Sequence, residues 1–496
     1  MPNRPQPAEP ETSGSGLDPA LKRVAAVVIL GAVMSLLDST IVNVALRTLS
    51  TDLSASLHQV QWVVTGYLLA VAAVIPMTGW AAKCVGARRL YLVALTVFTV
   101  ASLACGLASS IDQLIATRVL QGIGGGMILP VGQMMLVRTA GPANMPRAMS
   151  MVGVPIVLAP VFGPTIGGLL VDDLGWRSIF FVNVPIGIAA VLVARRLLPQ
   201  DPPVSRVPID ILGVMAVTGG MVSLTYGLSE IGTTGRVTAT IPLSALGLGA
   251  LLLAGFIARS LRARAPLLDL RLYKTPVFSA AALTTFCLGG AMYGGMVLMP
   301  LYYQDVRGAS ALVTGLLLAP SGVGAAAGNW LSGRLTERIG GGRTALIGGL
   351  IGVASTLPFI RLTDTSPYWW LGLALVARGL GFGLALMPAM TSAYRHLSRA
   401  KINDATPQLS ALRQVGGSVG TATFVVVLTR HLGAVPTPGA AAHAFGSTFV
   451  WVAAMAAVAA ASTILLARQE RHAQATPIVT HGSAPRAGAA AVPPAR

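Results

Sequence analysis

Charge is what this chain has least of. Only 10% of its 496 residues are charged, against roughly 25% in an ordinary soluble protein, and 54% are hydrophobic. Mean hydropathy is +0.71. Water alone cannot be the solvent of such a chain. Acidic residues are the scarcer sign, 17 against 35 basic ones for a formal charge of +18, and lysine is rare beside arginine. Cysteine is confined to Cys84, Cys105 and Cys287. Odd in number and scattered, these three make neither a disulfide framework nor a metal cluster, and the six histidines have no zinc spacing. No G-x-x-x-x-G-K-[ST] loop is present to bind nucleotide. The glycine-rich stretch Gly122-Ile123-Gly124-Gly125-Gly126 lies inside an apolar run that no nucleotide reaches. No metal and no cofactor are therefore expected, and clustered catalytic groups or a large extra domain, which an enzyme or a scaffold would need, are missing.

Glycine and proline, by contrast, are plentiful at 56 and 32. Membrane-spanning helices tolerate both, because neighbouring helices satisfy the backbone groups that they free. A span needs about 20 mainly apolar residues to cross roughly 30 Å of hydrocarbon. Fourteen are expected, at 24–46, 60–80, 90–109, 112–137, 147–171, 178–198, 209–230, 239–259, 277–301, 310–333, 344–362, 368–391, 408–430 and 446–468. The first follows Lys22 and Arg23, but it is too long for a signal-peptide core and contains Asp38. The terminal segments 1–23 and 469–496, rich in Pro, Ala, Ser and Gly, have little to bury and are expected to be disordered.

An even number of spans leaves both termini on one side. Loops and helix ends on that side carry 19 basic residues and those opposite carry 6. Lys and Arg accumulate in cytoplasmic loops, so both termini are expected in the cytoplasm of a multi-pass inner-membrane protein. The same asymmetry accounts for much of the net charge and removes nucleic acid from the list of partners.

Two segments echo each other. Gly79-Trp80-Ala81-Ala82-Lys83-Cys84-Val85-Gly86, followed by Arg88 and Arg89, lies between the second and third spans. Gly333-Arg334-Leu335-Thr336-Glu337-Arg338-Ile339-Gly340, followed by Arg343, lies between the tenth and eleventh. Further on, Arg118 opens a glycine-rich helix that ends at Pro130, and Arg378 opens another that ends at Pro388. The spans thus divide as six, two and six: an N-terminal bundle (24–198), a linker with two extra spans (199–274) and a C-terminal bundle (275–468). Parallel halves of this kind build rocking transporters with the substrate site between them at mid-membrane.

At these residues the chain resembles the major facilitator superfamily, specifically its fourteen-helix drug:proton antiporters of the EmrB/QacA type. Leu37-Asp38-Ser39-Thr40-Ile41-Val42-Asn43-Val44-Ala45-Leu46 resembles the first-helix signature of that subfamily, and Gly79–Arg89 the superfamily's loop motif. Arg118-Val119-Leu120-Gln121-Gly122 is similar to its fourth-helix motif, and Gly163-Pro164-Thr165-Ile166-Gly167-Gly168 to its antiporter motif. Trp176–Pro185 and Arg413-Gln414-Val415-Gly416-Gly417 are similar to further stretches of it. The resemblance implies an all-α membrane fold of two pseudo-symmetric six-helix bundles, and export of amphiphilic small molecules or drugs in exchange for protons. It names no substrate, and a dedicated exporter of one metabolite or self-made antibiotic is the close alternative. Nothing in the sequence specifies an accessory periplasmic protein. Two departures stand out. Lys83 replaces the acid usual in the loop motif, which removes any contact proposed for that acid, although Glu337 in the second copy can retain it; and Arg47 follows the first-helix signature where proline is usual.

Asp38 is the acid placed to carry a proton. Fourteen residues into its span, it lies about 21 Å from one end and about 12 Å from the other. Such a carboxylate is costly and is driven toward the neutral acid unless a cation is near. Arg118, about 9 Å below the outer end of the fourth span, is the candidate partner; it stays charged, so it tunes Asp38 or locks it permanently. Arg378 has no deep acid in its half and is left to backbone carbonyls or to an anionic group on the substrate. Arg413 is close enough to its helix end to reach the surface. Gly163 and Gly167, with Pro164 and Gly168, suit close helix packing, as does Gly122. Gln61, Trp62, Tyr67, Gln133, Met134, Phe286, Tyr293, Met296 and Met299 are the candidates for an adaptable apolar cavity, each with helix packing as its plainer role.

Overall fold

In a computed structural model the chain is described at residues 18–201, 208–234, 238–263, 266–395, 397–398, 401–432 and 437–475. All of its long elements are helices: α1 Pro19–Asp52, α2 Leu57–Val74, α3 Thr78–Val85, α4 Ala87–Gly106, α5 Ile111–Leu174, α6 Ser178–Phe181, α7 Asn183–Leu197, α8 Ile211–Thr234, α9 Thr240–Arg262, α10 Pro276–Leu301, α11 Ala311–Ile339, α12 Gly341–Thr356, α13 Tyr368–Arg395, α14 Ile402–His431 and α15 Pro438–Ala475. Among the described residues twelve helices are long and apolar enough to cross a membrane. The expected spans 147–171 and 310–333 fall on α5 and α11, outside those twelve. Helix α1 begins at Pro19 and α15 runs to Ala475, so the segments expected to be disordered were drawn too long by several residues at each end. Their remainder lies outside the described residues.

Local chemistry sets the boundaries. Asp18 caps α1 by accepting from the amide of Ala20 at 2.9 Å, with Pro19 at the first helical position, where its missing N–H costs nothing. Ser56 and Gln59 form a capping box at α2. Two expected spans run together in α5, which is broken at Gly141, a left-handed residue with φ of 66°.

Helix α5 packs against α1, α2 and α4, and α7 against α1 and α4. On the other side α10 packs against α14 and α15, and α12 and α11 against α13. The halves meet where the second limb of α5 runs along α11, and where α14 meets α3. Helices α8 and α9 form a hairpin whose first member packs on both α2 and α14.

The apolar cores report how far the halves are joined. At the end carrying both termini one core contains residues of both, from Leu21, Leu90 and Met149 to Phe278, Met390 and Leu466. Toward the far end the cores are separate: Ile41, Val63, Leu114 and Phe180 in one half, Leu298, Tyr302, Phe359 and Phe449 in the other. Between those two far-end cores α5 still touches α11, where Thr165 approaches Gly315. The bundle is sealed at the terminal end and divided at the opposite one.

The internal repeat has a definite packing register. A Cβ on Gly124 would meet the backbone of Ala94 and Phe98, and one on Gly381 that of Gly348 and Gly352. Gly122 lies on Tyr67 as Gly379 lies on Ser321, and Gly126 on Val71 as Gly383 on Ala325. In this register Arg378 takes the place of Gln121, and the counterpart of Arg118 is Leu375. The sequence pairing of Arg118 with Arg378 is therefore shifted by one helical turn, because glycines, which set the helix contacts, fix the alignment more tightly than the arginines do.

Candidate functional site

A closed polar network lies inside the first half. Asp38 is 1% exposed. Its Oδ2 accepts from Arg118 Nη1 at 2.6 Å, and its Oδ1 from Gln121 Nε2 and Asn183 Nδ2, each at 2.9 Å. Arg118 Nη1 also donates to Gln121 Oε1 at 2.8 Å, and Nε to the Val63 carbonyl at 3.2 Å. The guanidinium lies 4.2 Å above the Tyr67 ring and 5.7 Å from that of Phe180. Asn183 donates further to Ser102 Oγ at 3.2 Å, and Cys105 Sγ lies 3.4 Å from Gln121 Oε1. Helices α1, α2, α4, α5 and α7 all contribute. A buried ion pair is held only where additional hydrogen bonds satisfy its remaining donors and acceptors, and this pair has them.

Asp38 and Arg118, chosen from sequence as charges within apolar runs, are in direct contact. Gln121 and Asn183 stand in the sequence as letters of longer motifs, and both bind Asp38. Neutral amides in an apolar run give no charge signal, so nothing but the motif marked them.

The two loop repeats join the halves. A Cβ on Gly79 would strike the Asn403 carbonyl of α14, and Gly333 lies against Arg147 and Ser150 of α5. Gly86 and Gly340 have φ of 96° and 87°, where a side chain is strained. Lys83 pairs with Asp404 at 2.7 Å, with side chains 24% and 10% exposed. Glu337 pairs with Arg147 at 2.7 Å, with 27% and 44% exposed. The loss of the usual acid at Lys83 thus does not leave that position without an ion pair: the bridge exists with its sign reversed, its acid supplied by Asp404, which lies in the other half and in none of the motifs. Behind each loop an acid from the end of the same half caps the next helix. Asp201 accepts from the Arg88 and Arg89 amides at 2.9 and 3.1 Å, and Glu470 from those of Gly341 and Gly342. Arg88 itself reaches the Arg195 carbonyl at 2.8 Å.

The cavity candidates separate. Tyr67 roofs Arg118, and the Tyr293 ring lies against Gly417 of α14. Trp62 stacks on Tyr226 of α8, with centroids 5.8 Å apart, while Gln61 is exposed. Phe286 and Met296 are partly buried. Met134 and Met299 are corrections: each has no accessible surface and fills a core, since a flexible thioether packs irregular gaps as readily as it lines a pocket. Gln133 is fully buried with both amide atoms unpartnered. Arg413, expected at the surface, is 7% exposed. Gly163 and Gly167 lie against Thr40 and Ile41 of α1, whereas Gly168 faces open space and the Pro164 side chain lies outside the described residues.

A polar network and two loop bridges of this kind invite comparison with known chains. The sequence profile of the Major Facilitator Superfamily matches residues 28–421. The chain belongs to the major facilitator superfamily. It is 37% identical over 418 residues to a "Multidrug resistance protein B homolog" of Mycobacterium tuberculosis, covering 83% of this chain and 77% of that one. It is 32% identical to a "Methylenomycin A resistance protein" of Streptomyces coelicolor, covering 80% and 84%. Among solved structures, the proton:xylose symporter XylE superposes with a TM-score of 0.59 at 14% identity, over 88% of this chain and 94% of that one. That likeness concerns the fold. As a superfamily member the chain is a multi-pass protein of the cell membrane.

Proposed function

We propose that this chain is a proton-coupled antiporter that exports amphiphilic organic compounds, drugs among them, from the cytoplasm. The observation that carries the reading is the Asp38 carboxylate, buried inside the first half on Arg118, Gln121 and Asn183, in a bundle sealed at one end only. The resistance proteins similar to it support the same direction of transport. The end holding both termini is read as cytoplasmic, so the sealed state opens outward.

Protonation of Asp38 removes the charge that holds Arg118. Arg118 keeps the Gln121 and Val63 oxygens and the Tyr67 face, so it is released without being stranded. The contact between α1 and α5 then loses its ion pair, and because Thr40 and Ile41 of α1 also lie against Gly163 and Gly167 on the limb of α5 that forms the α11 seam, the change reaches the seam about which the halves rock. Lys83–Asp404 and Arg147–Glu337 close the cytoplasmic end when the outer end is open. A potential of 100 mV supplies about 2.3 kcal/mol per charge.

In proteoliposomes an imposed pH gradient is expected to drive accumulation of ethidium, and an uncoupler to abolish it; uncoupler-resistant accumulation sinks the reading. The two bridges should differ in weight. Exposed ion pairs contribute less than about 1 kcal/mol, so Arg147→Ala is expected to change the initial efflux rate by less than about fivefold.

A further inference from the structure

The C-terminal half holds buried positive charge that is in no ion pair among the described residues. Among the described residues the ion pairs are Lys83–Asp404, Arg118–Asp38, Arg147–Glu337 and Arg259–Asp210. None includes Arg378 or Arg413, which are 5% and 7% exposed. Arg378 donates from Nη2 to the Ala291 carbonyl at 2.8 Å, its Nε has no partner, and its plane stands 5.4 Å from the Phe382 ring. Its guanidinium lies directly over Gly295, where any side chain would collide with it. The repeat register sharpens the contrast. Gln121, at the equivalent place in the other half, reaches the carboxylate of Asp38, whereas Arg378 reaches a backbone carbonyl of α10 and finds no acid. An unpaired charge in a low-dielectric interior is costly, and a guanidinium is shaped to take a carboxylate through two parallel hydrogen bonds. The neighbouring Met292, Met296 and Phe382 form an apolar cluster, suited to the hydrophobic part of the same molecule.

We infer that Arg378 is a recognition site for an anionic group, a carboxylate above all, on those of the carried amphiphiles that bear one, with Arg413 adding a second positive charge to that half. The inference rests on the export reading and deepens it by naming a substrate class. It also changes the energetics. One monoanion leaving as one proton enters moves two charges inward, so membrane potential acts on both legs of the exchange. A phospholipid headgroup offers the same negative charge, and the test separates the two sources.

The probes are dansyl-phenylalanine and its carboxamide, titrated by fluorescence onto the full chain in phosphatidylcholine nanodiscs, with and without phosphatidylglycerol. The carboxylate is expected to bind at least about tenfold tighter than the amide, one charge-assisted hydrogen bond being worth that much. Arg378→Gln should erase the preference and leave the amide affinity unchanged, and Arg378→Lys should keep part of it. Phosphatidylglycerol should not compete. Equal binding of the two probes by wild type, binding of neither, a preference surviving in Arg378→Gln, or its loss on adding phosphatidylglycerol overturns the inference. Uncoupler-sensitive ethidium accumulation is read separately, so the export reading stands or falls on its own result.

Discussion

Asp38→Asn is expected to abolish pH-driven accumulation outright. With one pH unit across the membrane, each exchanged proton supports about a tenfold concentration ratio; the variant should reach a ratio of one, the dye merely equilibrating. The amide is nearly isosteric, so the loss does not come from packing. It comes from a group that no longer gains or loses a proton, set against Arg118, which stays charged. Leaving that guanidinium buried without its carboxylate costs about 3–5 kcal/mol, lessened by the Val63 and Gln121 oxygens that remain. The double variant Asp38→Asn/Arg118→Gln removes both charges. It is expected to regain most of the thermal stability in detergent and none of the coupling. Undiminished accumulation by Asp38→Asn would refute the assignment, and joint recovery of stability and coupling in the double variant would reduce the pair to a structural one.

Lys83→Glu is expected to be nearly as severe. It sets a carboxylate against Asp404 at the 2.7 Å contact, on a pair half as exposed as Arg147–Glu337. Like charges brought together at such an interface cost several kcal/mol. At about 3 kcal/mol the balance between closed and open cytoplasmic ends shifts by a little over a hundredfold. Spin-label distances across that end should lengthen and efflux should stall. Lys83→Glu/Asp404→Lys restores opposite charges at the same contact and should recover both; a double variant as impaired as the single one would show that the position needs lysine for another reason.

How much of this was legible in the sequence varied with the kind of signal. Charges inside apolar runs stood out, so Asp38 and Arg118 could be paired by depth alone. Helical extents were less sharp, because Pro19 and Ala475 lie in polar sequence that still continues a helix. Gly141 alone divides α5, and a polar interval of residues 138–146 suggested a loop where the chain needs one left-handed residue. Amides gave nothing away: Gln121 and Asn183 become functional only through the geometry of five helices. Asp404 was hidden by reading motifs one copy at a time, since its partner lies in the opposite half. The shift of Arg378 onto Gln121 is of the same kind: matching arginines do not mark the register, which is set by glycines that touch neighbouring backbones.

The two cytoplasmic bridges run in the same sense. On both flanks the N-terminal half supplies the cation, Lys83 or Arg147, and the C-terminal half the anion, Asp404 or Glu337. Separating the halves therefore parts two positive charges from two negative ones, and the attraction left between the open faces favours their return. Because these side chains are partly exposed, dissolved ions screen that attraction, and reclosure is expected to slow as ionic strength rises.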